Sequence, residues 1–160
     1  MSTYEILLFL HIVGALLIAA GAGIGTACGV AMSRTNRTRS IEVLSMVANR
    51  SERFSIMPGA VMTFVFGTWL VTEVPSYEFS QGWISGAYVL WVLAMALGGA
   101  VLGRHVRAIE ARAAELVAQG VEESDELHAL ASKPIGPVAG NVLVLLLLGL
   151  LYLMVMKPGL

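Results

Sequence analysis

Four long apolar runs, roughly 4–32, 55–72, 83–103 and 137–156, dominate the pattern along the chain, separated by polar stretches rich in arginine and glutamate. A helix crosses a hydrocarbon core of about 30 Å with about 20 residues, so runs of this length suit membrane-spanning helices. Barrel strands do not fit, because they alternate polar and apolar positions and are about half as long. The pattern therefore predicts an all-α protein, an integral membrane four-helix bundle forming one domain over 1–160.

Between the third and fourth runs the hydrophobic positions thin out but keep a helical period. In "RHVRAIEARAAELVAQ", Val106, Ile109, Ala113 and Leu116 share a face while Arg107, Glu110, Arg112 and Glu115 lie elsewhere. The third span is thus expected to continue beyond the membrane as an amphipathic helix, ending at Gly120. "EESDELHALA" then puts acidic residues at the start of a second short helix, where they suit the helix dipole, and "KPIGP" breaks the chain before the fourth span. The result is a cytoplasmic helical hairpin over about 104–132. Its two readings are a solvated helix pair and a docking surface for a cytoplasmic protein partner.

Composition agrees with the pattern: 57% of residues are hydrophobic and 13% charged, with a mean hydropathy of +0.78. Charge adds orientation. Arg34, Arg37, Arg39, Arg50 and Arg53 lie between the first two runs, and Arg104, Arg107, Arg112 and Lys133 between the last two, leaving only Lys157 of the ten basic residues elsewhere. Basic loops stay on the cytoplasmic side, which places both termini outside a bacterial inner membrane. The connection "TEVPSYEFSQG" carries no base, as an outer loop should, and Tyr4, Trp69, Tyr77, Trp83 and Tyr152 form the expected aromatic belt at that boundary. The first run lacks a basic n-region and exceeds the h-region of a secretory signal, so it reads as a retained span.

Lipid gives helices no hydrophobic reason to associate, so close packing must come from small residues and interhelical hydrogen bonds. Gly21, Gly25 and Gly29 form two overlapping GxxxG steps, and His11, Gly14, Ile18, Gly21, Gly25 and Cys28 fall on one face of the first span. Gly59, Thr63 and Gly67 give the second span a similar small edge. The GxxxG face serves equally for packing within the bundle or for a homodimer through Gly21, Gly25 and Gly29.

His11 is the one histidine expected within the bilayer, on the packed face and roughly 10 Å below the outer surface by helical rise from Tyr4. Two readings stay open. A neutral imidazole bonded to Tyr88, Thr68 or a backbone carbonyl would join helices; an intramembrane ionisable group is also a default ligand or proton site, and imidazole is a usual axial ligand of haem. His105 and His128 belong to the opposite side and cannot share an ion with it. The single cysteine, Cys28, permits no intrachain disulfide, and no Cys/His spacing points to a metal site.

The "LHIVGA" motif with its small-residue run, the arginine-containing inner loop, the "MPGAVMTFVFGTWLV" second span and the four-span total resemble a family of uncharacterised, predicted integral membrane proteins of bacteria. That family is itself similar to the copper-resistance D proteins and the four-helix protoporphyrinogen oxidase J-type proteins. In those relatives an early-span histidine is implicated in haem or copper chemistry, so the resemblance implies a haem b ligand at the matching His11. The third span has neither a lysine nor a second histidine, a departure that does not carry oxidase activity over.

Met154 and Met156 sit about 200° apart on a helix and do not converge on copper. No phosphate-binding loop, Ser/His/Asp set or paired intramembrane carboxylates appear, so hydrolytic and nucleotide chemistry lack residues to perform them. Nothing points to nucleic acid. Two function classes follow: a haem-b-binding redox or tetrapyrrole-handling module using His11, or a non-enzymatic accessory or scaffold subunit in which His11 joins helices.

Overall fold

The computed structural model describes residues 2–159; Met1 and Leu160, the ends of the expected domain, lie outside them. The described residues form helices and connecting turns, with no strand among them. The first apolar run is one unbroken helix, α1 (Thr3–Met32). Ser2 caps it reciprocally: the Glu5 N–H donates to the Ser2 hydroxyl at 3.3 Å and the Ser2 N–H to the Glu5 carboxylate at 2.8 Å, which satisfies two donors that no helical carbonyl can reach.

The expected arginine-rich loop before the second span is helical for most of its length. After a tight turn the chain enters α2 (Thr38–Glu73), a single 36-residue helix whose first half carries Arg39, Arg50 and Arg53. It is helical because Thr38, Ile41, Ser45, Ala48 and Ser51 recur at helical spacing and all are buried. Four of these are small or polar, which hides the stripe from a hydrophobicity reading. Helix α3 (Gly82–Ala118) runs unbroken from the third span into the amphipathic extension. The short α4 (Asp125–Ala131) and the last span α5 (Ile135–Met156) follow.

Two stretches wind in wider π-helical turns, Glu52–Ile56 in α2 and Ala96–Leu102 in α3. Four helices are long and apolar enough to cross a membrane. Helix α1 lies against α2 along both, α5 against the apolar part of α3, and the amphipathic start of α2 against the polar extension of α3. The two pairs also meet mid-span, where the Thr68 hydroxyl and Tyr88 hydroxyl are 2.7 Å apart and Phe64 packs on Tyr88 and Trp91.

The arginine-rich pole has a core like that of a water-soluble helical domain. Met32, Ile41, Ile109, Ala113, Leu116 and Leu127 form one buried cluster. The expected hairpin is therefore not solvated on its apolar face, because α2 covers it. Backbone bonds tie the α3–α4 turn to the α1–α2 turn: the Thr38 N–H donates to the Glu122 carbonyl and the Ser124 N–H to the Asn36 carbonyl, both at 3.0 Å. Gly120 ends α3 as expected, and its φ of +74° is why a glycine serves there. The Val121 N–H then reaches the Leu116 carbonyl and the Gly120 N–H the Val117 carbonyl, a paired closure of the last turn. Arg112 bridges Glu115 at 2.7 Å and Glu126 at 3.0 Å. Its hydrogen bond and charge hold the Glu126 carboxyl below the usual range, although an exposed clip of this kind adds little stability.

At the opposite pole Val71, Trp83 and Ile84 are buried together with Tyr77 and Leu153 packed around them. Trp83 thus leaves the expected lipid-facing belt and joins the core, while Tyr4, Trp69 and Tyr152 stay exposed. The Lys157 ammonium donates to the Tyr77 hydroxyl at 2.6 Å and stands 5.9 Å from the Trp83 ring centroid. That contact fastens the end of α5 to the α2–α3 connection through a hydrogen bond and a cation–π attraction.

Candidate functional site

The α1–α2 seam holds the intramembrane histidine. The two helices run antiparallel, so residues ascending α1 meet residues descending α2. At the crossing, a Cβ added to Gly14 would lie 2.9 Å from the Gly59 carbonyl oxygen, and one added to Gly59 would lie 2.6 Å from that of Gly14. Only glycine at both positions permits this backbone approach. Two turns further on, a Cβ at Gly21 would collide with Ile56 at 2.6 Å.

Polar side chains fasten the same seam. The Ser55 hydroxyl donates to the Leu17 carbonyl at 2.7 Å, and the buried Ser51 hydroxyl donates to the Gly21 carbonyl at 3.0 Å. Each hydroxyl finds an acceptor on the neighbouring helix. In a medium without water, that removes the cost of an unpaired donor.

His11 sits in this seam, partly buried. Its Nδ1 lies 3.0 Å from the Thr63 carbonyl oxygen. A carbonyl can only accept, so Nδ1 must carry the proton and donate it, which leaves Nε2 with a lone pair. Nε2 makes no hydrogen bond among the described residues. The ring rests on Gly67, where an added Cβ would stand 2.9 Å from Cε1 and 3.0 Å from Nδ1. A backbone acceptor on one side and a missing side chain on the other thus fix the imidazole.

Of the partners expected for His11, the backbone carbonyl is the one it meets. Thr68 and Tyr88 bond to each other, and Thr68 also donates to the Phe64 carbonyl at 2.7 Å. His105 and His128 lie at the arginine-rich pole. His128 Nδ1 donates to the Thr35 carbonyl at 2.8 Å and ties α4 to the α1–α2 turn, while His105 Nε2 is buried with no partner among the described residues. Among the described residues, no three His, Cys, Asp or Glu side chains cluster as metal ligands would. Cys28 is buried and unpaired by any disulfide.

Within the bundle the expected glycine face is used only in part. Gly21 is committed to contact with α2 inside the bundle, whereas Gly25 and Gly29 have nothing within 4 Å of an added Cβ. Helical period explains the difference: the buried stripe of α1 runs through Leu7, Gly14, Ile18, Gly21, Cys28 and Met32, and Gly25 and Gly29 fall beside it. The functional positions that a motif search passes over are Thr63 and Gly67, which belong to the small edge seen in the sequence but gain their role only from the register with His11.

A family described as "Predicted integral membrane protein (DUF2269)" matches residues 5–158. No curated protein and no solved structure matches the chain.

The seam makes a direct prediction for packing. Gly14→Leu should lower stability by about 1–3 kcal/mol, the scale of overpacking a tight contact, while Gly25→Leu should stay within about 0.5 kcal/mol of the parent, as open positions do. Thermal melts of the two variants in one detergent would decide it. Equal melting temperatures would place the helix contact elsewhere.

Proposed function

Because the chain belongs to the DUF2269 family of predicted integral membrane proteins, we propose that it is a small bacterial inner-membrane protein that holds haem b through Nε2 of His11, as a redox or tetrapyrrole-handling module. The observation that carries this reading is the hydrogen bond from Nδ1 to the Thr63 carbonyl. Metal-ligating histidines usually donate the other ring N–H to a carbonyl or carboxylate, which sets the tautomer and raises the basicity of the ligating nitrogen. Here that second partner is already in place, and the ligating atom is free.

The residues of this chain would supply position and basicity. Gly67 leaves room for the ring, Thr63 fixes its proton, and the Gly14–Gly59 crossing sets the height at which the two helices present it. Haem, when bound, supplies one-electron or tetrapyrrole chemistry. Only His11 among the three histidines lies on the spanning part of the bundle, so one imidazole per copy is the ligation proposed. On this reading both termini lie outside, which the nine of ten basic residues in the two loops of the other side support.

A second reading has its own support. The His11 bond is one of three side-chain bonds that join α1 and α2 to backbone carbonyls, beside those of Ser51 and Ser55. In a non-enzymatic accessory or scaffold subunit, that would be its whole role.

An absorption spectrum of the protein purified in detergent separates the two. The haem reading expects a Soret band that His11→Ala abolishes and His105→Ala retains. A colourless parent, with His11→Ala less stable by about 1 kcal/mol, is the scaffold outcome. For orientation, an impermeant thiol reagent added to intact cells should modify Ser76→Cys but not Arg37→Cys; the reverse pattern would invert the topology.

A further inference from the structure

We propose that the groove between α2 and the polar extension of α3 binds an anionic membrane phospholipid, its phosphate held by arginines and its acyl chains laid along α2. The groove measures about 1020 Å³ and lies toward the arginine-rich pole, away from the His11 seam. It opens where α2 changes character, between its amphipathic start and its apolar remainder. That level of a spanning helix meets the headgroup layer.

Three arginines line it: Arg50, Arg53 and Arg107. Arg107 is held in place from two sides. Its Nη1 is 3.4 Å from the Glu52 carboxylate, and its Nη2 donates at 3.1 Å to the Gly99 carbonyl, within the wide turn of α3. A π-helical turn breaks the regular carbonyl ladder and such turns recur at functional sites. Gly103 makes this approach possible, because a Cβ there would stand 2.7 Å from a Glu52 carboxylate oxygen.

The acids in the groove are already engaged. Glu52 faces Arg107, and Glu110 accepts from the Asn49 amide. Arg50 and Arg53 make no ion pair among the described residues, and the Arg53 guanidinium lies 5.7 Å from the Phe54 ring centroid. The groove therefore presents two uncommitted guanidiniums and a third whose side chain is 53% exposed. Guanidinium forks suit phosphate oxygens, and each basic group near an anionic membrane surface adds to lipid attraction.

The groove also offers an apolar path for the acyl chains. Phe54 is 70% exposed and Met57 50% exposed at the groove. Val61 continues the same exposed line toward the centre of the bilayer. Soluble phosphate would use the arginines but leave this apolar path without purpose. A phospholipid uses both.

The test is lipid retention by the full-length protein, extracted from vesicles containing equal phosphatidylglycerol and phosphatidylcholine and read by native mass spectrometry. The parent should retain phosphatidylglycerol preferentially. Combined Arg50→Gln and Arg53→Gln should reduce that preference about tenfold or more, while Arg34→Gln with Arg104→Gln, which removes the same charge from the same pole outside the groove, should keep it. Melting temperatures equal to the parent's would show that exposed arginines were removed without unfolding. No preference in the parent, or equal loss in the two double variants, would overturn the site, the latter by reducing it to diffuse surface charge. Displacement of the lipid by inorganic phosphate at moderate concentration would overturn the lipid assignment, since the apolar contacts should resist a soluble anion.

Discussion

Where α1 crosses α2, the Gly14 and Gly59 backbones touch with no side chain between them, and this contact sets the register for everything else in the spanning seam. In lipid, leucines gain nothing by leaving the solvent, so helices stay together through close van der Waals contact and through hydrogen bonds that have no water to compete with them. Once the glycines meet, the antiparallel ladder follows from helical geometry. Ser51 and Ser55 reach carbonyls of Gly21 and Leu17 on one side of the crossing, and His11 reaches Thr63 on the other. A side chain at either glycine would separate the helices and break all three bonds together.

The two ends of the bundle solve different physical problems. At the arginine-rich pole, water is the solvent, and the protein buries Ile41, Ile109 and Leu127 in a small core of the ordinary hydrophobic kind. That core joins the α1–α2 pair to the α3–α5 pair outside the membrane. At the other pole the join is made by Lys157, Tyr77 and Trp83, with a cation shielded by aromatic rings. The intramembrane seam between the pairs can then be sparse, resting on the Thr68–Tyr88 bond and the Phe64 ring contacts. A bundle clasped at its ends leaves its lipid-facing surface free of structural duty.

The four spans, the unbroken passage of α3 out of the membrane and the stop at Gly120 were legible because each depends on local pattern alone: run length, helical period, a glycine where φ turns positive. The helical start of α2 was hidden, because its buried positions are filled by Thr38, Ser45, Ala48 and Ser51 rather than by leucines. The glycine motif was legible only in part, for a geometrical reason. GxxxG says that a helix has a small face, but the partner decides which part of it is used, and α2 meets Gly14 and Gly21 while passing Gly25 and Gly29 by. His11 was visible as a polar residue on the packed face; its seat on Gly67 and its acceptor at Thr63 lie more than 50 residues away in sequence. The Lys157–Tyr77 clasp and the α2–α3 groove likewise exist only once the helices are assembled.

The α1–α2 seam holds His11 as the Nδ1–H tautomer with Nε2 available. Nitrogen-15 chemical shifts of histidine-labelled, haem-free protein in detergent micelles test it most directly, with His11→Ala identifying the His11 signals. A protonated Nδ1 and an unprotonated Nε2 are expected for His11. An Nε2-protonated ring would mean that the Thr63 carbonyl does not hold it, and would contradict both the seam geometry and the ligand role built on it.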